Sequence, residues 1–70
     1  MNIGRNISYF RKEKGLTQAQ LAEQLGISAQ AVSKWERGIS YPDLSLVEPL
    51  VRIFGITSDQ LFGIDAWEQQ

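Results

Sequence analysis

Neither cysteine nor histidine occurs in this chain of 70 residues. Disulfides, Cys or His zinc sites, thiol nucleophiles and imidazole acid–base chemistry are excluded together, which leaves carboxylates and hydroxyls as the only obvious catalytic groups. The carboxylates are scattered with no nucleophile–base constellation, so no enzyme, metal site or cofactor is expected. Long apolar runs are also missing, and the N-terminal MNIGRNISYF carries polarity and charge too early for a signal peptide. Neither membrane insertion nor export is therefore expected. The lack of cysteine fits a reducing cytosol, and a cytoplasmic location is the expectation. Proline is limited to Pro42 and Pro49, and no segment alternates apolar and polar residues as a strand would. What remains is helical periodicity: an all-α fold of five short helices, near the smallest size at which one apolar core suffices without metals or disulfides.

The helix ends are written into the chain by a repeated device. Gly15-Leu16-Thr17, Gly26-Ile27-Ser28 and Gly55-Ile56-Thr57 each place a helix-ending glycine, an apolar residue and a hydroxyl N-cap in succession. Gln20 and Gln60 stand three residues after Thr17 and Thr57 and complete capping boxes, whereas Ala31 occupies the corresponding place after Ser28. Leu16 with Leu21, Ile27 with Val32 and Ile56 with Leu61 have hydrophobic-staple spacing. These signals predict helices over about residues 2–14, 18–25, 29–37 and 58–62. The fourth helix has two possible starts, Asp43 after Pro42 or Ser45 with Glu48 as a capping box. Pro49 predicts that it is kinked or begins late.

Residues 17–38, TQAQLAEQLGISAQAVSKWERG, spell two short helices joined through one glycine, the helix-turn-helix plan for reading DNA. Leu21 and Leu25 lie one turn apart, small Ala22 permits close approach of the second helix, and Gly26 supplies the positive φ of a tight end. On the second helix Val32 and Trp35 face inward together with Glu36, while Gln30, Ser33, Lys34 and Arg37 form an outward polar stripe. Such a stripe is usually a solvated face, but on this motif it is the face that enters the major groove. Gln30 can pair with adenine in a bidentate fashion, Lys34 can donate to guanine, and Ser33 or the methyl of Ala29 can touch base edges. Thr17 and Gln18 offer a hydroxyl, an amide and free backbone N–H groups to a phosphate at a helix N-terminus. Inward-facing Glu36 needs a partner, and Arg11 at the border of the first helix's apolar stripe supplies one, in a structural ion pair. Net charge is only −1, yet residues 1–37 carry +3 and residues 38–70 carry −4. This split suits a module that turns its N-terminal half to phosphates.

These segments resemble the lambda-repressor-like helix-turn-helix family, the xenobiotic-response-element type of phage and bacterial transcriptional regulator. RKEKGLTQAQLAEQLGIS, QAVSKWERG and YPDLSLVEPLVRIFGITSDQLF are similar to that family's segments in order, over about residues 3–62. The resemblance implies a compact five-helix domain that binds a double-stranded DNA operator, usually as a homodimer on a palindrome; the first function hypothesis is a sequence-specific transcriptional regulator, a repressor in preference to an activator. The resemblance places base contacts on Ala29, Gln30, Ser33 and Lys34, and phosphate contacts on Thr17, Gln18, Ser28, Arg37, Ser40 and Tyr41. Its ion pair between the first and third helices falls on Arg11 and Glu36. Pro49 is unusual for the middle of the fourth helix, and Ala29 stands where the family often has a longer polar residue. The competing class is a protein-interaction or antitoxin-like module that keeps the fold. Residues 1–64 are read as one domain and residues 65–70 as a tail, with Trp67 either folded back over the last helix or part of an interface.

Overall fold

A computed structural model describes residues 2–63, and among them every regular element is helical. The helices are α1 (Ile3–Glu13), α2 (Gln18–Leu25), α3 (Ala29–Glu36), α4 (Val47–Phe54) and α5 (Ser58–Phe62), with a short 3-10 turn at Leu44–Leu46 before α4. Trp67 and the tail lie outside the described residues. No described helix is long and apolar enough to cross a membrane.

Local chemistry sets the boundaries. Thr17 and Thr57 form capping boxes: each hydroxyl accepts from the backbone N–H of Gln20 or Gln60, at 3.0 and 3.1 Å, and the Gln side chain accepts in return. Ser28 caps α3 through the Ala31 N–H at 3.2 Å, without the reciprocal bond that a Gln would provide. Each such cap stabilises its helix by about 1 kcal/mol. Gly26 closes α2 at φ 72°, which lets the Ile27 N–H reach back to the Ala22 carbonyl at 3.0 Å. Asn2 and Lys14 flank α1 as its caps.

The start of α4 departs from both sequence alternatives. Asp43 caps the 3-10 turn rather than the α-helix, accepting from the Ser45 N–H at 3.0 Å and the Ser45 hydroxyl at 2.5 Å. Ser45 is thereby held by a carboxylate and makes no capping box with Glu48. Leu46 stands at the N-cap of α4 with no side-chain bond. Pro49 becomes the third residue of α4, in the first turn, where its missing N–H has no intrahelical partner to lose. Glu48 instead pairs with Arg52 one turn along, on the exposed surface.

One apolar core joins all five helices: Ile3 and Ile7 of α1, Leu21 and Ala22 of α2, Val32 and Trp35 of α3, Leu50 and Phe54 of α4, and Leu61 of α5. Burying each of the large side chains is worth about 1.5–3 kcal/mol. One hydrogen bond and one close backbone approach fix the spacing of this core. The Asn6 side-chain amide donates to the Leu61 carbonyl at 2.9 Å and ties α1 to α5. Gly4 is buried where α1 crosses α3, so closely that a Cβ there would lie 1.9 Å from the Trp35 carbonyl oxygen. Only glycine permits that approach, since the obstacle is backbone and cannot rotate away. We expect Gly4→Ala to lower stability by about 2 kcal/mol or more, the middle to upper part of the range for overpacking. Thermal denaturation checks this; an unchanged melting temperature would show that α1 and α3 are less tightly apposed.

Candidate nucleic-acid interface

The packing of α2 on α3 leaves the second helix with one buried side and one open side. Val32 and Trp35 are buried, and Ala29, Gln30, Lys34 and Arg37 are exposed, with Ser33 half-buried between them. The outward stripe is continuous along the helix. Beyond it the chain leaves through Gly38, and the N–H groups of Ile39 and Ser40 both point to the Lys34 carbonyl, at 2.9 and 3.4 Å. Tyr41 follows with 72% of its surface exposed. Thr17 is exposed at the start of α2, and Ser28 at the start of α3.

Glu36, at the inner end of α3, gathers three elements. Arg11 of α1 meets it in a forked ion pair, Nε to Oε2 at 2.6 Å and Nη2 to Oε1 at 3.0 Å. The two side chains retain only 10% and 8% of their accessible surface. The remaining Arg11 nitrogen, Nη1, donates to the Leu16 carbonyl at 2.7 Å, in the turn that leads into α2. Gln18 of α2 then donates its amide to Glu36 Oε1 at 3.0 Å. No buried side-chain nitrogen or oxygen among the described residues lacks a hydrogen-bond partner. Burial pushes the Glu36 carboxyl up, but the hydrogen bonds from Arg11 and Gln18 and the Arg11 charge outweigh it, holding the group below its ordinary 4.5.

The Gln18 contact was not foreseen in the sequence. Its signal was there: Gln18 begins α2 beside the Arg11 turn, and a glutamine amide carries two N–H donors. One is taken by Glu36, and the side chain is half-buried rather than free. No cluster of acidic groups among the described residues is arranged to hold a metal ion.

A helix pair joined by a tight glycine turn, with the second helix presenting a polar face, defines a helix-turn-helix domain. The helix-turn-helix family model matches residues 7–61, and the chain belongs to the lambda-repressor-like helix-turn-helix family, which includes phage and bacterial transcriptional regulators. It is 41% identical over 63 residues to the HTH-type transcriptional activator BcrR of Enterococcus faecalis, covering 90% of this chain and 31% of that protein. It is 36% identical to the immunity repressor protein of Bacillus phage phi105, covering 90% of this chain and 44% of the repressor. The chain thus spans less than half the length of these two relatives. Among solved structures, the P22 c2 repressor in complex with a synthetic operator superposes with a TM-score of 0.80 at 30% identity, covering 87% of this chain and 92% of that one.

Two stability outcomes follow from the Glu36 site. Arg11→Ala should cost roughly 3 kcal/mol, because it leaves a buried carboxylate unpaired, whereas exposed Lys12→Ala should cost little. Equal melting temperatures for the two variants would contradict this. The lowered Glu36 value also fixes the sign of a pH effect: its contribution is complete above about 4.5 and is lost as pH falls through the folded value. Glu36→Gln should therefore be most destabilising relative to the parent at neutral pH, with the gap narrowing on acidification below 4.5. Melting curves from neutral to acidic pH measure the gap; a constant difference would exclude the linkage.

Proposed function

We propose that this chain is a sequence-specific, double-stranded DNA-binding transcriptional regulator of the cytoplasm, a repressor that lays α3 in the major groove as a homodimer on a palindromic operator. The observation that carries the reading is the exposed stripe of Gln30, Ser33, Lys34 and Arg37 on the second helix of the motif. In this reading Gln30 pairs with an adenine edge, Lys34 donates to guanine O6 and N7, and Ser33 and Ala29 meet neighbouring base edges or a thymine methyl. Thr17 and Ser28 bring the starts of α2 and α3 to phosphates, where unsatisfied N–H groups and the helix dipole favour an anion. Arg37, Ser40 and Tyr41 hold the backbone on the other side of the groove. Gln18 uses its second amide hydrogen for a phosphate while the first stays on Glu36. The operator complex of the P22 c2 repressor and the phage phi105 immunity repressor support DNA as partner and repression as outcome.

Duplex binding should weaken as salt rises, since Lys34 and Arg37 displace counterions condensed on the phosphates while the neutral contacts do not. Gln30→Ala and Lys34→Ala should each relax preference at one or two base pairs per half-site, costing about 1–3 kcal/mol. In a homodimer the affected positions recur roughly 34 Å apart along the duplex. A panel of single-base operator variants decides the matter. Uniform loss of affinity with unchanged base preference would mean that α3 is not the reader. Absence of any duplex binding at low salt by the folded protein would favour the protein-interaction module instead.

A further inference from the structure

The outer face of α1 carries a basic surface whose side chains take no part in the proposed operator contacts. Arg5, Ser8, Tyr9 and Lys12 recur at helical spacing and share one face. That face forms an open cleft with Arg37 and Gly38 at the end of α3. Arg5, Lys12 and Arg37 are exposed, and among the described residues the ion pairs involve Arg11 and Arg52 instead. Glu36 also borders the cleft, but its charge is already met by Arg11. Three uncompensated cations thus surround one concavity. Tyr9 stands among them, 58% exposed, with its ring held edge-on against Phe10 at 5.2 Å.

We propose that this cleft is a second phosphate-binding track, which takes the sugar–phosphate backbone of the duplex past the end of α3 and along α1, outside the base pairs that α3 reads. The inference rests on α3 being the groove helix. Arg37 supplies the continuity, because it belongs both to the outward stripe of α3 and to the wall of the cleft. The dimensions fit a polymer: Arg5 and Lys12 are separated by about 10 Å of helix rise, close to the rise of three nucleotides at 3.4 Å per strand. Lysine and arginine supply the counterion-releasing charges, and the Tyr9 hydroxyl adds a neutral donor of the kind often found on phosphate oxygens.

Duplex binding measured against salt concentration tests the track. Arg5→Ala and Lys12→Ala should each make the slope of log affinity against log salt shallower by about 0.9, as expected for one phosphate neutralised per side chain. Base preference should stay unchanged, because backbone contacts carry no sequence information. Arg52→Ala makes the same charge change on α4 and should leave the slope as it is. Tyr9→Phe should lower affinity on every sequence without altering the slope. Unchanged slopes for Arg5→Ala and Lys12→Ala, while Gln30→Ala still relaxes base preference, would overturn the track and leave the groove reading standing. An equal drop for Arg52→Ala would also overturn it, since the effect would then be one of total charge. A parent protein that binds no duplex at all would remove both readings together.

Discussion

The forked contact between Arg11 and Glu36 is the constraint on which the geometry of this domain depends. Taking both charges out of water costs several kcal/mol, and their attraction offsets that cost only because each nitrogen of the guanidinium and each oxygen of the carboxylate also has a hydrogen-bond partner. Arg11 reaches the Leu16 carbonyl with its last nitrogen, and Gln18 adds a third donor to Glu36. The pair therefore contributes position more than stability. It sets where α1 ends, how the turn enters α2, and how the inner end of α3 is anchored.

Much of this was legible in the chain itself. Caps announce themselves because a hydroxyl, a glycine and a staple residue act within a few positions of one another, and Thr17, Ser28 and Thr57 all begin helices as their neighbours dictate. The inward and outward faces of α3 follow from periodicity alone, and an inward carboxylate raises the question of its partner. What could not be read were distances between segments remote in sequence. Gly4 looks like a helix-weakening residue until Trp35 is placed against it, and Asn6 looks like a surface amide until the end of α5 arrives beside it. The entry to α4 was ambiguous for a different reason: Asp43 and Ser45 compete for one turn, and the hydrogen bond between them decides it.

A chain with a net charge of −1 is an unlikely-looking partner for a polyanion only when its charges are averaged. The elements up to the end of α3 hold an excess of cations, whereas Asp43, Glu48 and Asp59 lie on the segments that follow. Helices α1, α3 and α4 each carry both signs, but the net excess is positive up to the end of α3 and negative beyond it. Local field, not total charge, governs which surface approaches phosphate.

The close crossing at Gly4 has a further consequence. Where helices touch through side chains, a change of residue can be absorbed by repacking. At this crossing backbone meets backbone, and there is nothing between α1 and α3 to compress or re-form. The inner end of α3 is thus a fixed bearing with no play. Exchanging side chains on the outer face can change what this helix recognises, but re-aiming the helix is not readily open to this chain, so the carrier stays constant while the inscription on it varies.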